Sequence, residues 1–262
     1  QILAKNKINF KIIARRSPKL NIKIEQSGIP VDRFIQVEEI SSACLLKLKE
    51  YFDFSHIFNF AANSFVQGSD DQFDLFINQN SKILWAIFEV LKLHNELWLF
   101  HPLSSEVLSQ SAYEDDANKF SFNPRNAYGL SKTLDYYSCQ ISRQNGFGKI
   151  HSCIMFNHES RYKQDRFFSR KLILFFQNLG ENNRLNIFNA KSVRDWGSAA
   201  EYMEMIFQSS LNKVNETTTL GTGETLSVED CIDHCLDILS IKHIKCERQG
   251  LLNWQGEKIL IS

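Results

Sequence analysis

Short, nearly continuous apolar runs alternate along this chain with longer stretches whose apolar positions recur every three or four residues. The runs Ile8–Ala14, Arg33–Val37, His56–Ala62, Leu97–Leu103 and Ile150–Phe156 read as strands covered on both faces. The stretches Ser42–Phe52, Asp74–His94 and Ala127–Gln144 read as helices. This alternation predicts an α/β fold, a Rossmann-like doubly wound parallel sheet. Gln1–Lys5 reads as the tail of a helix, and the closing Ile-Leu-Ile-Ser as part of an apolar element, so both ends read as truncated.

After Asn157 the pattern changes. A helix at Phe167–Asn178, a short strand at Leu185–Phe188, the polar run Arg194-Asp-Trp-Gly197, a helix from Ala199, a strand at Thr217–Leu220 and a helix at Ser227–Leu239 follow. They predict a smaller α/β substrate-binding cap over the carboxyl ends of the strands, where open α/β sheets bind ligands. The expected division is residues 1–157 for the dinucleotide domain and 158–262 for the cap, with some later segments returning to the sheet.

Composition narrows the function classes. Lysine plus arginine equals aspartate plus glutamate at 30 each, so nothing global calls for nucleic acid or an anionic membrane. The longest apolar stretch, Ile83–Leu91, contains Glu89 and falls short of the roughly 20 residues of a membrane span. Cys44, Cys139, Cys153, Cys231, Cys235 and Cys246 sit mostly in apolar elements, as reduced thiols of a cytoplasmic protein do. Cys231-Ile-Asp-His234-Cys235 lies in a helical pattern without a second ligand pair, so no metal is expected.

The candidate chemistry centres on Tyr128 and Lys132. Four positions apart on a helix they share one face, where an ammonium favours a phenolate that can take a hydroxyl proton as hydride leaves the same carbon. Ser104 and Glu106 follow the Leu97–Leu103 strand. The serine can bind the reacting oxygen, and the carboxylate can act as base at a carbon acidified by a neighbouring ketone, then as acid for a leaving hydroxyl. A solvated carboxylate at a loop start is the plainer reading of Glu106 taken alone. Arg15, Arg16 and Ser17 follow the Ile8–Ala14 strand, where arginine accommodates a nucleotide 2′-phosphate and so favours NADP, or where they form only a solvated basic turn. Glu38, Ala61, Ala62, Ser64 and His158 lie at other strand ends, where they can contact a cofactor or simply pack. Arg194 beside Trp196 suits a diphosphate, or a salt bridge on an indole.

In order along the chain, Arg15-Arg-Ser17, Phe60-Ala-Ala-Asn-Ser64, Ser104-Ser-Glu106, Tyr128-x-x-x-Lys132, Phe156-Asn-His-Glu-Ser160, Phe167-Phe-Ser-Arg-Lys171, Arg194-Asp-Trp-Gly197 and Gly221-Thr-Gly-Glu-Thr225 resemble the extended short-chain dehydrogenase/reductase family. Within it they resemble the GDP-mannose dehydratases. The resemblance implies catalytic roles for Ser104, Glu106, Tyr128 and Lys132. It implies contacts to NADP from Arg15, Arg16, Ser17, Glu38, Ala61, Ala62, Ser64, Lys132, His158 and Lys163, and to GDP-mannose from Asn157, Lys171 and Arg194. It also implies a homo-oligomer, a dimer or tetramer. The chain departs from the family pattern at Ser104 for threonine, Leu75 for a cofactor-contacting tyrosine, Arg161-Tyr-Lys163 for Pro-Arg-Arg, and His101-Pro102 before the catalytic serine; the family's first strand and glycine-rich loop are not in these residues. An epimerase or reductase of a nucleotide sugar, and a non-catalytic relative, are the alternative readings. Glu106 discriminates the first, because simple 4-epimerisation needs no base at C5, and NADP binding the second.

Overall fold

The structure, a computed structural model, describes all residues except 1, 19, 65–72, 109–120, 179–183, 188, 241–242, 246–250, 256–257 and 262. The chain divides into two compact units, one of residues 1–155 and 203–219, the other of 156–202 and 220–262.

The first unit carries parallel strand pairs in two sheets flanked by helices, the α/β alternation that the pattern predicts. Helix α1 (Ile2–Lys5) leads into β1 (Ile12–Arg15), α2 (Leu20–Ser27), β2 (Phe34–Val37), α3 (Ser42–Tyr51), β3 (His56–Phe58), α4 (Phe73–Leu93), β4 (Trp98–Ser104), α5 (Ala127–Gln144) and β5 (Lys149–Met155). Strands β1 and β2 pair in parallel from Ile12–Phe34 to Arg15–Val37. Strand β4 lies between β3 and β5, parallel to both, and β9 (Thr217–Leu220) follows β5 in the sheet order. The apolar part of the core holds Leu84, Leu91, Leu97, Leu99 and Ile150, all fully buried.

Two predicted strands are shorter than their apolar runs by three residues or more. Ile8–Ala14 becomes Ile12–Arg15 because β2 begins only after a 3₁₀ turn at Val31–Arg33, so residues 8–11 have no ladder partner. His56–Ala62 stops at Phe58, because the Asn59 carboxamide oxygen accepts the Ala61 N–H at 3.2 Å and turns the chain. Helix α2 went unseen in the sequence, where LNIKIEQS carries no clear apolar stripe.

In the second unit β6 (Asn157–Glu159) pairs in parallel with β8 (Val193–Ser198), which pairs antiparallel with β10 (Thr225–Ser227). A second sheet joins β7 (Arg184–Asn186), β12 (Leu251–Gln255), β13 (Lys258–Ile261) and β11 (His243–Lys245). Helices α6 (Phe168–Gln177) and α8 (Val228–Ile238) pack their apolar faces together through Leu172, Phe175, Ile232 and Leu236. Helix α7 (Ala199–Leu211) belongs to this unit through Tyr202 and to the first from Met203. Arg194-Asp-Trp-Gly197, a polar run with no element assigned from the sequence, is part of β8. Its charge is accommodated because the buried Asp195 carboxylate accepts the Thr222 and Gly223 N–H groups at 2.8–3.0 Å.

Candidate active site

Helix α5 is set by its cap. The Asn126 side-chain oxygen accepts the Gly129 N–H at 2.7 Å, satisfying one donor of the first turn. The far end closes at Asn145, followed by Gly146 at φ +72°, the left-handed conformation glycine supplies without steric cost. Between them Tyr128 and Lys132 fall on the buried face. Tyr128 packs with Phe76 and Ala127, and none of the described residues hydrogen-bonds its phenol oxygen.

Ser104 and Glu106 reach this helix from the end of β4. The Ser104 Oγ accepts the Glu106 N–H at 3.3 Å and caps the short 3₁₀ turn Ser105–Val107. The Asn126 amide donates from Nδ2 to Glu106 Oε2 at 3.0 Å, so one asparagine ties the helix cap to the carboxylate. The approach is close enough to require glycine. A Cβ at Gly129 would lie 2.6 Å from the Glu106 carbonyl oxygen. The structure thus brings Ser104, Glu106, Tyr128 and Lys132 to the junction of β4 with the first turns of α5.

Lys132 is almost wholly buried, at 2% exposure, and its ammonium donates to the Pro102 carbonyl at 3.0 Å and to Asp135 Oδ2 at 3.3 Å. Asp135 has no exposure and also receives His101 Nε2 at 3.0 Å and Ser81 Oγ at 3.1 Å. Burial by itself raises the Asp135 carboxyl, but the Lys132 charge and the His101 bond outweigh it and hold it at about 2. His101 is pushed below its ordinary value, chiefly by burial. The sequence reading missed Asp135 and Asn126. Asp135 was detectable in principle as the one carboxylate three positions past Lys132 on the buried face of α5.

The residues expected around a dinucleotide lie at strand ends. Arg15 closes β1, and the exposed Arg16 guanidinium pairs with Glu38 at 2.7 Å. The Arg15 guanidinium has no partner among the described residues. Two guanidinium groups and the Ser17 hydroxyl form a donor set that fits a phosphorylated nucleotide. Ala61, Ala62 and Ser64 follow β3, with Ala62 and Ser64 exposed and Ala61 half-buried. Leu75 has a side chain outside the described residues.

The remaining expected residues belong to the second unit. The His158 ring donates from Nδ1 to the Phe156 carbonyl at 2.9 Å, leaving Nε2 for another partner. Lys163 donates to the Glu159 carboxylate at 2.6 Å and to the His158 carbonyl at 3.1 Å. Asn157 begins β6, opposite Trp196 of β8. Arg194 on β8 donates to the Val193 carbonyl at 2.8 Å, and Lys171 is exposed on α6. Cys231 and Cys235 are half-buried one turn apart on α8, and among the described residues no three His, Cys, Asp or Glu side chains gather as a metal site. Nor is any described helix long and apolar enough to cross a membrane.

Known proteins place the chain in a family. The family profile described as GDP-mannose 4,6 dehydratase matches residues 2–257. A GDP-mannose 4,6-dehydratase of Sordaria araneosa is 25% identical over 224 residues, 82% of this chain and 39% of that protein. The Homo sapiens GDP-mannose 4,6 dehydratase is 25% identical over 197 residues, covering 73% of this chain and 53% of that protein. The chain spans about half the length of the curated relatives it matches. Among solved structures, the dTDP-glucose 4,6-dehydratase of Bacillus anthracis in complex with NAD superposes with a TM-score of 0.74 at 15% identity, over 99% of this chain and 78% of that one. The UDP-glucose 4-epimerase of Thermus thermophilus in complex with NAD gives 0.72 at 13% identity, over 91% and 78%. At these identities the likeness is one of fold.

Proposed function

This chain belongs to the GDP-mannose 4,6-dehydratase family, and from that premise we propose that it dehydrates GDP-mannose to GDP-4-keto-6-deoxymannose. Tyr128 takes the proton of the sugar 4-hydroxyl, whose oxygen Ser104 holds by a hydrogen bond. Glu106 removes the C5 proton, made acidic by the new ketone, and delivers it to the 6-hydroxyl as water departs, and the proton held by Tyr128 is returned to C5 of the product. Lys132 keeps a positive charge beside the phenolate. A bound nicotinamide dinucleotide, NADP in this reading, supplies the hydride acceptor at C4 and the donor at C6, so no net redox change results.

Arg15, Arg16, Ser17, Glu38, Ala61, Ala62, Ser64, Lys132, His158 and Lys163 are the residues proposed to hold the dinucleotide. Asn157, Lys171 and Arg194 are proposed to hold the nucleotide-sugar. The assembly in this reading is a homo-oligomer working in the cytoplasm.

The observation that carries the reading is the Asn126–Glu106 bond. It anchors the Glu106 carboxylate at the cap of the helix that carries Tyr128, and dehydration, unlike simple 4-epimerisation, needs a base. Full-length protein incubated with GDP-mannose and NADP is expected to form the 4-keto sugar, seen by NMR. Glu106→Gln is expected to slow turnover by about 10²–10⁴. A variant as fast as wild type would overturn the assignment of Glu106, and net consumption of NADPH would replace the dehydratase by a reductase.

A further inference from the structure

Beneath the Tyr128–Lys132 face lies a series of buried polar groups that the chemistry above does not use. The Ala61 N–H donates to Asn59 Oδ1 at 3.2 Å, which fixes the orientation of that carboxamide. Asn59 Nδ2 therefore donates to His101 Nδ1, 3.1 Å away. A ring nitrogen that accepts is bare, so the imidazole proton sits on Nε2, aimed at Asp135 Oδ2. The same oxygen receives the Lys132 ammonium, while Ser81 fills Oδ1. Asn59, Ser81, His101, Lys132 and Asp135 are each 5% exposed or less, and each hydrogen bond in the series has only one workable direction.

We propose that Asn59, His101 and Asp135 are positioning residues, a directional hydrogen-bond series that immobilises the Lys132 ammonium and couples it to the backbone at residues 59–61. The proposal deepens the dehydratase reading and rests on it for the catalytic meaning of Lys132. The geometry has two consequences. An ammonium carries three N–H donors, and Pro102 and Asp135 engage two, so Lys132 presents a single donor to a bound hydroxyl or to the Tyr128 phenolate. A cation and an anion buried together beside a neutral imidazole leave no uncompensated charge inside the protein. The lysine is held as a fixed donor rather than a flexible one.

The test follows the Lys132 ammonium by NMR in full-length protein labelled with ¹⁵N-lysine, its resonance identified by its loss in Lys132→Arg. Wild type is expected to show protected, slowly exchanging ammonium protons. Asp135→Asn is expected to speed their exchange by about tenfold or more, the effect of losing a hydrogen bond to a charged group. His101→Gln can place an N–H where Nε2 was and is expected to retain the protection, whereas His101→Asn is too short to reach Asp135 and is expected to lose it. This pair carries the test should Asp135→Asn not fold.

Equal protection in wild type, Asp135→Asn and His101→Asn would overturn the proposal. So would a ¹⁵N-histidine spectrum at neutral pH with His101 protonated on Nδ1. Turnover adds an independent arm: Asp135→Asn is expected to lower kcat with KM unchanged. A full-length protein that makes no 4-keto sugar would remove the dehydratase reading while leaving the NMR result to decide the series itself.

Discussion

Two carboxylates meet at the helix that carries Tyr128, Asp135 from within it and Glu106 from the turn after β4, and they are held in opposite ways. Asp135 is fully buried, with Lys132 and His101 on one oxygen and Ser81 on the other. Glu106 is half-buried at the end of β4, with Asn126 on one oxygen and no described residue on the other. A carboxylate buried without exposure, with a donor on each oxygen, can orient its neighbours but is closed off from a substrate proton. One with an oxygen that no described residue engages, and with access to solvent, is placed to meet a substrate. The difference separates a group that builds the site from one that can react in it.

The largest test of that difference is Asp135→Ala. It strands a buried ammonium, and urea unfolding is expected to show a loss of about 3–5 kcal/mol. Acid sharpens the same point. The Asp135 carboxyl is held at about 2 when folded, below its value of about 3.9 in an unfolded chain, so it contributes stability in full above about pH 4. That contribution, about 2–3 kcal/mol, is lost as pH falls toward about 2. The gap between wild type and Asp135→Asn is therefore expected to narrow as unfolding is measured at lower pH, and a gap independent of pH would show that Asp135 is not the paired anion described.

An intermediate effect is expected for Gly129→Ala, whose Cβ would meet the Glu106 carbonyl oxygen at 2.6 Å and Pro124 at 3.3 Å. Backbone must move, at a cost of about 1–3 kcal/mol by the same unfolding measurement. The smallest effect belongs to Glu106→Gln, within about 0.5 kcal/mol of wild type. A large destabilisation there would mean that Glu106, like Asp135, is part of the framework, and the contrast would fail.

Much of this was legible in the sequence because periodicity reports burial. Helix α5 and strand β9 fall at the bounds their apolar patterns predict, and Leu97–Leu103 differs from β4 by one residue at each end. Periodicity does not report polar groups that fold the chain by accepting backbone N–H bonds. Asn59 ended β3 early, and Asp195 allowed a charged run to become β8. The same blindness hid half of the site. Ser104, Glu106, Tyr128 and Lys132 could be read from spacing, since each lies where a strand ends or on one face of a helix. Asp135 shares a helix face with Lys132, but its pairing with His101 in a strand shows in no spacing.

Helix α7 has a consequence for how this protein is made. Its residues are shared between the compact units, and the chain passes from one to the other after Met155, after Tyr202 and after Thr219. No single peptide cleavage separates the units. On the ribosome, the sheet of the first unit must wait for its final strand, β9, until the intervening stretch of the other has emerged. A nascent chain halted before Thr217 therefore exposes the open edge of β5, and its hazard is edge-to-edge aggregation.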